Sequence, residues 1–398
     1  MIYLDYAATA PMRECALEAM NDVMRHAWGN PSSIHEEGAR AKAVLEDARE
    51  RIAAILGCRP SEILFTSGGT ESDSTALLSA AEAGRCAGRW HIVTSAIEHH
   101  AVLRPLEKLV KNGFDVTELP PDGDGMISAD AVRDTIRQDT CLVSVMTANN
   151  ETGVLQPVGE IGELCRAWGI PFHTDAVQTA GHLPTLPAEI RCDTLAVSAH
   201  KFGGPRGAGF LYVRRGAPLT PLLLGGNQER GRRAGTENVA AIAGMAAALE
   251  ESVRAMQGEA ERLTVLRDRL AAGLLAIPRS VLNGHPAKRL PNNVNVSFEG
   301  VEGEPLILLL DERGIRASSG AACSAGALEP SHVLTAMGQP PELAVGSLRL
   351  TLGPDTDEAA VDLTVEAVRD VVRRLRSQSP DWQAKCEGKK AFLIENGT

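Results

Sequence analysis

The chain has 398 residues, 44% of them hydrophobic, enough apolar material for a large buried core and a length more natural for two domains than for one. Its formal charge of -11, from 40 basic against 51 acidic side chains with no basic cluster beyond short runs such as Arg373 to Arg376, argues against nucleic acid and anionic membranes as partners and for small ligands. The longest apolar run, 239–249, is too short to span a bilayer, no secretory leader is recognisable, and the eight cysteines include no C-x-x-C pair, so a cytoplasmic protein with reduced thiols is expected.

Residues 1–11 read as an extended segment, followed by a helix over 13–26 and a turn-rich stretch from Trp28 to His35. Ser32 or Ser33 is placed to cap the next helix, which runs to about 56 and ends near Gly57. A strand over 62–67 feeds Gly68, Gly69 and Thr70 and then a helix to about 83. Glycines at a helix N-terminus expose backbone N–H groups that, with the helix dipole, attract phosphate. The turn lacks the Gly-Lys-Ser/Thr ending of a nucleotide loop and the G-x-G-x-x-G of a dinucleotide site, so taken alone a plain strand-to-helix turn accounts for it as well.

Further strands are predicted at 91–95, 141–147, 171–174, 194–198 and 209–213, several separated by helical patterns. Such alternation argues for an α/β fold with a largely parallel sheet covered on both faces. Polar residues follow these strands repeatedly: Glu98, His99 and His100 after one, Asn149 to Gly153 after another, Asp175 and Gln178 after a third, His200 and Lys201 after a fourth. Ligands of open parallel sheets lie at the carboxyl ends of the strands, and the repetition matters more than any one cluster, since Asp175 alone would serve equally as a helix cap. Beyond a basic loop at 228–238 and an Ala-rich helix, a long helix over 250–277 leads into a second part of the chain. That part has strands at 293–298 and 347–352 and helices at 304–313 and 357–376; the tail after Ser379 shows no pattern.

Three side chains invite chemistry. A lysine leaving a buried strand, as Lys201 does, either finds an anion or loses its charge and becomes a nucleophilic amine able to hold an aldehyde cofactor as a Schiff base; a surface lysine in a connecting loop is the alternative. Cys323 sits in an unbroken run of small residues between Arg316 and Leu328, which makes either a mobile loop or a tightly packed turn. Arg349, inside an apolar strand pattern, requires a carboxylate, from a ligand or from a neighbouring Asp or Glu.

Asp175 with Gln178, Ser198 with His200 and Lys201, the Thr70 turn and the pair Glu98–His99 resemble the pyridoxal-phosphate site of the class V aminotransferase superfamily, which has the aspartate-aminotransferase-like fold, fold type I. The stretches Tyr3 to Asp5, Gly29 to Ser33, Phe65 to Ser72, Asn149 to Gly153, Arg232 to Asn238 and Ser318 to His332 resemble, more narrowly, cysteine desulfurases of the NifS/IscS type, and Trp382 with Lys390 to Phe392 resembles the nitrogen-fixation branch. The resemblance implies a large pyridoxal-phosphate domain at 13–255 with a mainly parallel seven-stranded sheet. It also implies a smaller α/β domain from 1–12 and 256–398 carrying the cysteine loop at about 318–330. It further implies that Lys201 carries the cofactor, Asp175 pairs with its ring nitrogen, Gln178 with its phenolic oxygen and His99 stacks on its ring. Gly69, Thr70, Ser198 and His200 would hold the phosphate, with Thr236 reaching in from the second subunit of a homodimer. Asn150, beside the cofactor, and Arg349 would grip the substrate carboxylate, and Cys323 would take the sulfur of L-cysteine as a persulfide, releasing alanine and passing the sulfur to an iron–sulfur scaffold protein. Selenocysteine lyase activity, or another transformation by a pyridoxal-phosphate enzyme of the same superfamily, and a catalytically silent sulfur-transfer scaffold are the alternatives. Two departures from many relatives stand out: Tyr6 and Ala7 in the opening segment, and Ser324 after the loop cysteine.

Overall fold

The computed structural model of the chain describes residues 1–319 and 330–394. Its strands are β1 (Ile2–Tyr3), β2 (Ile63–Thr66), β3 (His91–Ser95), β4 (Asp115–Leu119), β5 (Thr140–Ser144), β6 (Phe172–Asp175), β7 (Thr194–Ser198), β8 (Gly209–Val213), β9 (Ser280–Leu282), β10 (Asn293–Phe298), β11 (Ile315–Arg316) and β12 (Ser347–Thr351). Seven form one sheet in the order β2-β8-β7-β6-β5-β3-β4, parallel except at β8, which runs antiparallel to both its neighbours. Every residue of β3, β5, β6 and β7 is buried, as expected for strands covered on both faces by crossover helices. The polar ends of β6 and β7 lie side by side, because Asp175 pairs in register with Ala196.

Two apolar clusters divide the interior. One gathers side chains such as Ile52, Phe65, Val143, Phe172, Phe202 and Leu249 around the large sheet. The other joins Leu4 to Leu263, Leu266, Leu270, Val296, Phe298, Leu350 and Val368 around the antiparallel sheet β12-β10-β9. The helix Val239–Leu275 runs unbroken for 37 residues and contributes to both. A break near residue 250 is therefore absent: Ala246 to Glu251 are strong helix formers, and the change of composition marks a change of packing partner rather than an end.

Smaller differences from the sequence expectation have equally local causes. The helix Glu36–Leu56 is capped by His35, whose Nδ1 accepts the Gly38 N–H at 3.3 Å, not by Ser32 or Ser33. The preceding turn is closed earlier, by Asn30 Oδ1 accepting the Ser32 N–H at 2.9 Å. The edge strand β4 was absent from the expectation because it exposes Asp115 and Glu118 and so lacks an apolar pattern. The tail forms a helix, Pro380–Cys386, with Ser379 as its cap and Trp382 stacked on the Arg376 guanidinium at 4.0 Å.

The first dozen residues act as a strap between the two clusters. β1 pairs in parallel with β11, Thr351 donates its N–H to Leu4 O at 2.7 Å, and further on Ala10 donates to His200 O at 2.8 Å and Arg13 to Gly203 O at 2.9 Å.

Candidate functional site

At the carboxyl ends of β5, β6 and β7 lies a cavity of about 300 Å³. Its lining includes Gly69, Thr70, His99, Asn150, Asp175, Gln178, Ser198, His200, Lys201 and Arg349, so all but two of the expected site residues converge on one space. Thr236 is exposed on the loop before the long helix and does not line this cavity within the single chain. Cys323, with most of the loop expected at 318–330, lies outside the described residues.

Lys201 enters through a single 3-10 turn after β7, and its Nζ donates to the backbone carbonyls of Ala7 at 2.6 Å and Ala8 at 3.1 Å. The same Ala7 carbonyl accepts from Gln178 Nε2 at 3.2 Å, and His200 Nδ1 lies 3.3 Å from Thr9 Oγ1. The strap thus forms one wall of the cavity, using backbone atoms that carry no side-chain signature.

Asp175 ends β6 and accepts the Val177 N–H at 2.8 Å. Burial pushes its carboxyl up to about 6, against the opposing pull of that N–H and of Lys201. Beneath it lies Asp73, an active-site neighbour the sequence did not single out. Its Oδ1 lies 3.1 Å from His173 Nε2, and its Oδ2 is buried with no hydrogen-bond partner among the described residues. Burial, then the facing Asp175 and Glu98, push Asp73 well above the usual carboxylate range, while burial holds His173 down at about 3. The available signal was an acid on the buried face of a helix that begins at a glycine turn.

His99 caps the helix His100–Lys111: its Nδ1 accepts the Ala101 N–H at 3.1 Å, which places the proton of the neutral ring on Nε2. Burial, followed by the influence of Lys201 and of the neighbouring His100 and His332, lowers its pKa to about 4, so it is neutral at pH 7. The residue pattern alone leaves His99 and His100 equivalent, and the resemblance selects His99. In the structure His99 lines the cavity, whereas His100 stacks on His332 with ring centroids 4.9 Å apart.

Asn149, part of the strand-end cluster but given no role by the sequence, builds the turn that presents Asn150. Its Oδ1 accepts from the N–H groups of Glu151 and Thr152, both at 2.9 Å, and its Nδ2 donates to Ile97 O at 2.9 Å. Arg349 on β12 completes the far wall; it donates from NH1 to Asn150 O at 2.9 Å and from NH2 to Asp5 Oδ1 at 3.1 Å. The neighbouring carboxylate its burial called for is therefore Asp5.

At the other end, the helix Gly69–Cys86 directs its N-terminus to the cavity beside Ser198 and His200. Gly68 has φ 151, a backbone side chains rarely adopt, and a Cβ on Gly69 would meet Val177 Cγ2 at 2.7 Å. Glycine is required here for the backbone to lie open.

A family model described as Aminotransferase class-V matches residues 2–363. The chain belongs to this family. It is 51% identical over 379 residues to a protein named Cysteine desulfurase IscS from Methanosarcina thermophila, covering 95% of this chain and 94% of the relative. It is 44% identical over 383 residues to Cysteine desulfurase NifS from Azotobacter vinelandii, covering 96% of this chain and 95% of the relative. Both branches named by the resemblance are thus represented. A solved structure described as a NifS-like protein superposes with a TM-score of 0.88 at 36% identity, over 94% of this chain and 99% of that one. Membership implies use of pyridoxal phosphate. The cavity fits that group: a buried carboxyl for a ring nitrogen, an amine for an aldehyde, and an open helix N-terminus with hydroxyl and imidazole neighbours for a phosphate. No helix among the described residues is long and apolar enough to cross a membrane.

Proposed function

We propose that this chain is a pyridoxal-phosphate-dependent cysteine desulfurase that converts L-cysteine to L-alanine and takes the sulfur onto Cys323 as a persulfide. The observation that carries the reading is the convergence of Lys201, Asp175, His99, Gln178 and Arg349 on one cavity, in a chain whose full-length relatives bear that activity in their names. Lys201 holds the cofactor's aldehyde carbon, Asp175 its ring nitrogen and Gln178 its phenolic oxygen; Gly69, Thr70, Ser198 and His200 hold its phosphate. When bound, the cofactor supplies an electron sink that labilises the bonds around the substrate's Cα.

The chain's own residues do the rest. Arg349 and Asn150 would receive the substrate carboxylate, and the Lys201 amine would move protons at the substrate carbon. His99, neutral at pH 7 with its proton on Nε2, would face the cofactor ring and offer the Nε2 N–H as a hydrogen-bond donor, and its acid–base role would require taking up a proton against a pKa of about 4. The Cys323 thiolate forms an S–S bond to the substrate sulfur as the Cβ–S bond breaks; the electron pair returns to carbon, a proton follows, and alanine leaves. A second copy of the chain completes the phosphate site through Thr236. This is supported by the exposure of Thr236 and of large apolar side chains, Trp28 at 69%, Ile34 at 103% and Leu224 at 85%. The persulfide is passed to an iron–sulfur scaffold protein in the cytoplasm, consistent with cysteines that are all free thiols among the described residues. No observation specifically favours selenocysteine lyase activity or a silent scaffold.

Incubating the cofactor-loaded protein with L-cysteine and a thiol reductant tests the reading. Sulfide and alanine are expected in equal amounts, and neither product from loaded protein would overturn it. Cys323→Ala is expected to bind L-cysteine, seen as a change in cofactor absorbance, yet to release almost no sulfide; undiminished release would mean that another group is the nucleophile.

A further inference from the structure

The opening Tyr3-Leu-Asp5 stretch is part of the sequence pattern, yet none of the roles above uses Asp5. Its carboxylate lies against Arg349, whose guanidinium is 5% exposed in a strand flanked by Leu348 and Leu350. NH2 is held by Asp5 and NH1 by the Asn150 carbonyl, while Nε is buried with no hydrogen-bond partner among the described residues. Two nitrogens are thus anchored, one by the strap and one by the backbone of the cavity-lining Asn150, while the Arg349 side chain still lines the cavity. Asp5 is the only carboxylate within ion-pair distance of Arg349 among the described residues; Glu151, another acid nearby, accepts the Ser331 hydroxyl at its Oε2. Asp5 is itself fixed by the strap: it bridges Thr351, two residues beyond Arg349, and the Ala7 N–H that follows donates to Thr351 Oγ1 at 2.8 Å.

We propose that Asp5 is a positioning residue that holds the Arg349 guanidinium in the orientation in which it receives the carboxylate of an amino-acid substrate. The inference rests on the desulfurase reading of the cavity. Two effects of the Asp5 carboxylate oppose each other. It cancels part of the positive charge that a substrate carboxylate meets, and it removes the freedom of a side chain whose planar fork must face the ligand squarely. Orientation wins. The Asp5 side chain is 22% exposed, so water screens its charge, whereas without it one neutral carbonyl is the only remaining anchor among the described residues. The Asp5 carboxylate makes no hydrogen bond to Lys201 or to the phosphate end among the described residues, and its backbone carbonyl, which accepts from the Ala8 and Thr9 N–H groups, is kept in Asp5→Asn, so loss of the charge is felt at the carboxylate of the ligand.

The test uses the cofactor-loaded protein and reads binding of the product, L-alanine, from cofactor absorbance. Asp5→Asn is expected to weaken L-alanine about fivefold to tenfold, the difference between a charge-assisted and a neutral hydrogen bond. KM for L-cysteine rises in parallel while kcat stays within about twofold, as for loss of an interaction made equally in ground and transition states. Binding of cysteamine, which has the thiol and amine of cysteine but no carboxylate, is expected to be unchanged, a split that general loosening of the fold would not produce. Asp5→Glu, which keeps the charge, is expected to recover most of the affinity. Unchanged or tighter L-alanine binding in Asp5→Asn, or an equal loss for cysteamine, would overturn the proposal, and so would an Asp5→Glu variant as weak as Asp5→Asn. A wild-type protein whose absorbance responds to neither L-alanine nor L-cysteine would instead overturn the desulfurase reading, and this inference with it.

Discussion

Glu229→Gln removes one charge from an ion pair sealed inside the large lobe. Arg49 and Glu229 have side chains 3% and 1% exposed and meet in a two-pronged contact, NH2 to Oε1 at 2.6 Å and NH1 to Oε2 at 3.0 Å. Glu229 Oε2 also accepts the Phe65 N–H at 3.1 Å, so the pair ties β2, the strand feeding the phosphate turn, to the loop that bears Thr236. Glutamine keeps the shape but turns one acceptor into a donor facing either Arg49 or Phe65 N–H. Breaking a buried pair by neutralising one partner costs about 3–5 kcal/mol. Arg49 keeps its bond to Ile63 O at 3.0 Å and its contact with Glu46 at 3.2 Å, which points to the lower end, about 3 kcal/mol. For a lobe of this size that corresponds to a fall in Tm of about 6–12 °C. Melting followed by circular dichroism, at matched protein concentration and cofactor occupancy, measures it. The double variant Arg49→Met with Glu229→Gln removes the stranded charge and is expected to regain at least half the loss. A fall below about 2 °C, or a double variant no better than the two losses added, would refute the reasoning.

Lys201→Ala is expected to abolish the visible absorbance of covalently held cofactor and all sulfide release, while still binding pyridoxal phosphate reversibly; retention of that absorbance would mean that another amine is the anchor. Gly69→Ala forces a Cβ to within 2.7 Å of Val177 Cγ2 beside the phosphate turn, an overpacking strain of about 1–3 kcal/mol, and cofactor affinity measured by fluorescence titration is expected to fall about tenfold. Burial holds His173 at about 3 in the folded chain, so as pH falls below its ordinary value of 6.5 the unfolded chain takes up a proton that the folded chain refuses, and stability is lost from there down toward pH 3. His173→Gln is therefore expected to melt earlier at pH 7 but to lose less Tm than the wild type between pH 6.5 and 5, and an equally steep loss would count against a neutral buried imidazole.

Much of the cavity was legible because parallel strands deliver their last residues to one edge. Ser198 ends, and Lys201 follows, an apolar run that marks itself as a strand, and β7 lies at 194–198 as its pattern indicates; Asp175 ends the shorter β6 beside it. The elements that escaped notice take their stability from surroundings invisible in a local pattern. β4 is an exposed edge held by pairing to β3, and the helix Pro380–Cys386 depends on Trp382 stacking on Arg376 from the preceding helix. Backbone acceptors were missed for a different reason: nothing in the identity of Ala7 or Ala8 reveals that their carbonyls meet Lys201. Asp73 and Asp5 were unassigned because an acid has a function only once its partner is known, and their partners lie 100 and 344 positions away.

The strap has a consequence for synthesis. Residues 2–7 are made long before their partners β11, Arg349 and Thr351, Asp5 and Arg349 being 344 positions apart, so this part of the strap is anchored only after those distant strands have been made. Closing so long a loop is entropically slow, and N-terminal segments fold well before the rest is available. The large sheet can therefore form with its cavity still open on the strap side. A nascent chain reaches competence for amino-acid chemistry in one late step, when the strap meets β11 and β12.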